Sequence, residues 1–205
     1  MGDDGPALAL TRLDEVTRRL RRDCPWDREQ DERSIVPHTV EEAYELADAA
    51  QSGDDTKLLD ELGDVLYQVY FLSLLLEERS AGDLAAVADN TREKLIRRHP
   101  HVFGEERAGS AGEVLRNWNR IKREEERGGE LFGPLPDTLP STLYAKKVLK
   151  RARSAGHDFE PADEPGERLL AAVSAAIEEG ADPELALRRA AERFRERIER
   201  AEQGR

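Results

Sequence analysis

Apolar residues recur along the chain at helical, never alternating, spacing. Leu8, Leu10, Leu13, Val16 and Leu20 predict a helix over 8–22 that ends on a basic turn. The stretch Asp23-Cys24-Pro25-Trp26-Asp27 interrupts it. Thr39 and Glu42 match a capping box, with Pro37 just upstream, so a second helix is expected from Thr39 to about Ala50. Ser52-Gly53-Asp54-Asp55 reads as a turn. The following segment, about Thr56 to Arg79, is apolar nearly all round after Asp64, which predicts a helix in the middle of a bundle. Further helices are expected over Leu84 to Arg98, Ser110 to Arg127, Ser141 to Ala155, Glu167 to Glu179 and Pro183 to Glu202. No segment alternates as a half-buried strand does. The expected class is all-α.

Glycine and proline concentrate between Gly128 and Pro140, the best candidate boundary. Three parts are expected: residues 1–127 as the main domain, 128–165 as a linker with one short helix, and 166–205 as a helical hairpin. That hairpin faintly repeats the first part. Gly63-Asp64-Val65-Leu66 and Gly166-Glu167-Arg168-Leu169 open similar helices, and each leads to a basic run, Glu93 to Arg98 and Glu192 to Arg197. The later copy has no counterpart of Glu41 to Glu45. Two amphipathic hairpins alike in composition account for the likeness equally well.

Composition sharpens this picture at a few points. The net charge of -12 excludes a non-specific nucleic-acid binder, which needs a basic surface. The most apolar run, Val65 to Leu76, is too short to span a bilayer. Cys24 is the sole cysteine, so no internal disulfide forms. The start of the chain lacks the basic-then-apolar signature of a leader. A cytoplasmic protein is the expectation.

The acids carry the candidate chemistry. Glu41, Glu42 and Glu45 fall on one predicted helix, and Glu61 and Asp64 near the start of the next. Residues three apart share a helix face, so Glu42 pairs with Glu45 and Glu61 with Asp64. Antiparallel packing of the two helices makes four carboxylates converge, and carboxylate oxygens are what Mg²⁺ and Mn²⁺ take as ligands. In a chain with 44 acidic residues such spacing also arises by chance, and the same acids suit a solvated helix start. Lys94 and Arg98 share a face of a later helix, where they can grip one phosphate chain or simply complement a helix C-terminus. His99 and His101 suit a structured turn. Trp26 is assigned to the core, and Trp118 suits either a core or a nucleobase platform.

Taken in order, Cys24-Pro25-Trp26-Asp27, Thr39-Val40-Glu41-Glu42-Ala43-Tyr44-Glu45, Glu61-Leu62-Gly63-Asp64, Lys94 to Arg98 and His99-Pro100-His101-Val102-Phe103 resemble the MazG-type nucleoside triphosphate pyrophosphohydrolases, over about residues 7–127. The segment 139–159 resembles the linker of tandem members. The resemblance implies a helical bundle, usually a homodimer, that splits nucleoside triphosphates into monophosphate and pyrophosphate with Mg²⁺. It implies metal ligands at Glu42, Glu45, Glu61 and Asp64, phosphate contacts at Lys94 and Arg98, and a nucleotide-side tryptophan at Trp118. Glu41 is then the spare carboxylate and the candidate general base. The second copy would be truncated and without its own metal motif. The rival expectation is a non-catalytic regulator that binds nucleotide and metal.

Overall fold

The structure is a computed structural model, and it describes residues 5–125 and 131–203. Its helices are α1 (Pro6–Asp23), α2 (Pro25–Glu29), α3 (Glu32–Ser52), α4 (Asp55–Glu78), α5 (Leu84–Arg98), α6 (Pro100–Phe103), α7 (Ala111–Glu125), α8 (Ser141–Ser154), α9 (Pro165–Glu178) and α10 (Pro183–Gln203). No strand occurs among the described residues, so the protein is all-α. The expected end of α7 near Arg127 and the first residues of the expected linker, 128–130, lie outside them. Two compact units form, residues 1–115 and 116–205.

In the first unit, one departure from the sequence reading matters. The second long helix starts seven residues before Thr39. Asp31 and Ser34 make the capping box instead: the Ser34 N–H donates to Asp31 Oδ1 at 2.8 Å, and the Asp31 N–H donates to Ser34 Oγ at 2.9 Å. Pro37 therefore sits inside α3, where it lacks the N–H that would bond back to residue 33. Thr39 is no cap. Its hydroxyl lies 3.4 Å from both the Ile35 carbonyl and Gln68 Oε1. The expected break after α1 also holds a short helix, α2, opened by Pro25 at its first position.

α3 ends at Gly53, whose φ of 70° is left-handed. Asp54 caps α4 at once by accepting from the Thr56 and Lys57 N–H groups. So tight a reversal lays α4 antiparallel along α3. The core of the unit is Ile35, Phe71 and Leu75, with Tyr67 and Leu72 packed against it. α1 joins it through buried Thr17 and two arginines, Arg18 on Glu77 and Arg21 on Glu78. The apolar positions that predicted α1 stay largely exposed, Val16 by 54%.

Nor is α4 central along its whole length. Gln68, Tyr70, Phe71, Ser73, Leu74 and Leu75 are buried. Leu59 and Leu62, beside the acids, are exposed by 73% and 50%. Only the C-terminal half of α4 lies in the core. The second unit gathers α8, α9 and α10. Arg153 on α8 donates to Ser174 and Glu178 on α9, and Lys146 pairs with Asp182 at the start of α10. Leu149 and Val173 are buried between them.

Candidate metal centre

The hairpin turn sets which residues of α3 and α4 face each other. Glu45 and Glu61 each lie eight residues from Gly53, and Glu42 and Asp64 each lie eleven. In antiparallel helices of equal rise, residues equidistant from the turn come to the same height. Deeper in the hairpin, the same register pairs Thr39 with the Tyr67–Gln68 step and Ile35 with Phe71. Packing at the far end thus holds the acids in register at the near end.

Glu42, Glu45 and Glu61 each present a carboxylate oxygen within 4.8 Å of the others. Asp64 is exposed and stands outside that group of three. Its charge still reaches both helices. Partial burial and the charges of Asp64, Glu45, Glu61 and Glu41 push the Glu42 carboxyl above its ordinary range. Loss of hydration, then Glu45, Asp64 and Asp60, push Glu61 upward as well. The largest charge acting on Glu42 is Asp64 and on Glu61 is Glu45, the pairs that the hairpin register matches.

One oxygen of Glu61, Oε2, is buried with no hydrogen-bond partner. A buried acceptor left unpaired is costly, and crowded carboxylates add repulsion. A divalent cation relieves both. The donor set consists of hard carboxylate oxygens gathered from two helices, the ligand chemistry that Mg²⁺ and Mn²⁺ take, so these residues fit either ion.

Glu41 stands outside the group of three, although its charge acts on Glu42. Its carboxylate is 66% exposed and 3.9 Å from His38 Nδ1, one turn back on α3. Lys94 and Arg98 are both half-buried on one face of α5, which packs against α4. His99 closes α5 and precedes α6, its Nδ1 2.7 Å from the Leu95 carbonyl oxygen, and its ring lies 5.5 Å from that of His101. Trp118 is half-buried on α7 and belongs to the second unit.

Residues 30–103 match the model of the MazG nucleotide pyrophosphohydrolase domain. The chain is 33% identical to a nucleoside triphosphate pyrophosphohydrolase of Escherichia coli strain K12, over 94% of this chain and 87% of that protein. It is 32% identical to a nucleoside triphosphate pyrophosphohydrolase/pyrophosphatase MazG of Thermotoga maritima, over 88% of this chain and 79% of that one. An uncharacterized 26.1 kDa protein in the blaB 3' region of Streptomyces cacaoi is 40% identical over 97% of this chain and 85% of its own length. The chain belongs to the MazG family.

The part matched to the MazG domain takes in all five acids, Lys94 and Arg98, and leaves Trp26 and Trp118 outside. Two features of this MazG chain escaped the sequence reading. Trp26 is 53% exposed rather than core, and its indole meets the His38 ring edge-on, centroids 6.1 Å apart. Its neighbour Asp27 is the buried one, and Asp27 Oδ1 accepts from the Tyr67 hydroxyl at 3.2 Å. Burial, then the Asp27 charge, push that phenol up to about 12. A helix of five residues is too short to show which face is apolar, so neither fact was readable from spacing. Among the described residues no helix is long and apolar enough to cross a membrane.

Proposed function

We propose that this MazG-family protein hydrolyses nucleoside triphosphates to nucleoside monophosphate and pyrophosphate, with Mg²⁺ or Mn²⁺ held by Glu42, Glu45 and Glu61 and with Asp64 completing the acidic set. The observation that carries the reading is the meeting of three carboxylates from α3 and α4 around an unpaired buried oxygen of Glu61, in a chain of this family.

A bound divalent cation supplies charge neutralisation for a polyphosphate and a more acidic water. The chain's own residues do the rest. The acids repel an uncomplexed polyphosphate, so the phosphates would settle beside them only as the complex of a divalent cation. Lys94 and Arg98 lie one turn apart and offer cationic donors to phosphate oxygens, including the charge that develops on the leaving pyrophosphate. Glu41 lies beside the three crowded acids but is not one of them. It is assigned to accept the proton of the water that attacks the α-phosphorus.

The protein is proposed to act in the cytoplasm as a homodimer. What supports a dimer is the exposed stripe Leu59, Leu62, Leu66 and Val69 on α4, spaced as one helix face. Sedimentation velocity tests it, and a monomer at micromolar concentration removes it.

The activity is tested with a panel of ribo- and deoxyribonucleoside triphosphates in Mg²⁺, with product identification by chromatography. Monophosphate with pyrophosphate is expected, and Glu61→Ala abolishes it. Diphosphate with orthophosphate would refute the bond assignment. No turnover of any triphosphate would refute the proposal.

A further inference from the structure

Trp26 raises a physical question. An indole is among the largest apolar surfaces a chain owns, yet here more than half of it faces water. It is not loose. α2 is tied to its neighbours: the buried Asp27 carboxylate accepts from Tyr67, its backbone carbonyl accepts from Arg21, and Gln30 Nε2 donates to the Trp26 carbonyl at 2.8 Å. Hydrogen bonds to α1, to α4 and within the α2 turn therefore fix the segment that holds this aromatic face outward.

The ring's position is also specific. It rests edge-on against His38 of α3, and His38 Nδ1 is 3.9 Å from Glu41. His38, Glu42 and Glu45 are spaced i, i+4 and i+7, so they line one face of α3. Along the axis, the two acids lie about 6 and 10 Å from His38, from the rise of 1.5 Å per residue. In the other direction that face continues through Ala49 and Ser52, which offer no aromatic surface. A phosphate chain held at the acids has one flat apolar platform along this row, at the His38 end.

We propose that Trp26, braced by His38, is the platform on which the nucleobase of the triphosphate stacks. The inference rests on the reading that Glu42, Glu45 and Glu61 handle that triphosphate. The ligand class is a nucleotide with a planar aromatic base.

The test compares Trp26→Ala and Trp26→Phe with the unaltered protein on two substrates in Mg²⁺, a nucleoside triphosphate and ribose 5-triphosphate, which has no base. Stacking on an aromatic side chain corresponds to about a 5- to 100-fold change in binding. Trp26→Ala should raise KM for the nucleoside triphosphate by that factor, with kcat within about twofold. It should leave KM for ribose 5-triphosphate unchanged. Trp26→Phe should restore most of the loss. Equal losses on both substrates, or no loss on either, overturn the proposal.

A second readout needs no turnover. The chain has two tryptophans, so the Trp26 signal is taken as the difference in fluorescence between the unaltered protein and Trp26→Phe, each titrated with adenosine 5'-monophosphate and with ribose 5-phosphate. Quenching by the first alone supports the platform, even if the triphosphate panel shows no hydrolysis and the activity reading falls. Hydrolysis without base-dependent quenching overturns the platform and leaves the activity standing.

Discussion

Replacing Glu61 by glutamine keeps the shape of the side chain and removes one of three charges within 4.8 Å of one another. The variant should respond in opposite directions in two solvents. In chelator, the unaltered protein carries the full repulsion at the hairpin mouth, so Glu61→Gln should melt at the same temperature or higher. In Mn²⁺ the order reverses. A ligand that binds only the folded state at roughly 100 times its Kd contributes about 2.7 kcal/mol. For a chain of this length each kcal/mol moves Tm by about 2–4 °C, so the unaltered protein should gain about 5–10 °C. The variant, short of one ligand and one charge, should gain less than about 2 °C by the same conversion. Differential scanning calorimetry in EDTA and in millimolar MnCl₂ makes the four measurements. A general loss of stability lowers Tm in both solvents, so it cannot mimic the crossing. An unaltered protein indifferent to Mn²⁺, or a variant that keeps the full gain, would refute the reasoning.

Other outcomes follow from the same structure. Glu42 and Glu61 are both raised above the ordinary carboxylate value of 4.5, so in that window the metal-free folded state binds more protons than the unfolded chain. Their contribution to stability therefore falls as pH rises through and above that value. In chelator, the Tm difference between Glu42→Gln/Glu61→Gln and the unaltered protein should widen in the variant's favour from pH 4.5 to 7, and a flat difference counts against the crowding. Phe71 is 1% exposed at the centre of the first unit, and Phe71→Ala should cost about 3–5 kcal/mol in urea unfolding. Arg21 is only 18% exposed, bonds Glu78, the Asp27 and Gln30 carbonyls, and lies over the Phe71 ring. Arg21→Met should therefore destabilise by about 1–3 kcal/mol, because it leaves two part-buried carbonyls without their donor. Glu77→Gln touches an exposed ion pair with Arg18 and should cost less than about 1 kcal/mol. Equal costs for the two would show that burial does not separate them.

The sequence alone determined what is local. Helix period, the Gly53 turn and the glycine-proline stretch around residue 133 announced an all-α chain, and the observed ends of α5 and α9 lie within two residues of those expected. The spacing of Glu42, Glu45, Glu61 and Asp64 announced a shared face on each of two helices. These properties depend on distances within one element or across one tight turn, which covalent geometry sets. Tertiary structure decided what depends on contacts between elements. It extended α3 back through Pro37, because capping by Asp31 and burial of Ile35 outweigh one missing hydrogen bond. It buried Asp27 rather than Trp26, because Tyr67 on α4 offers the carboxylate a partner. It left Asp64 outside the group of three carboxylates and the first half of α4 open to solvent. Which of two neighbouring side chains is buried depends on what a distant segment offers it, and the order of residues along the chain does not carry that.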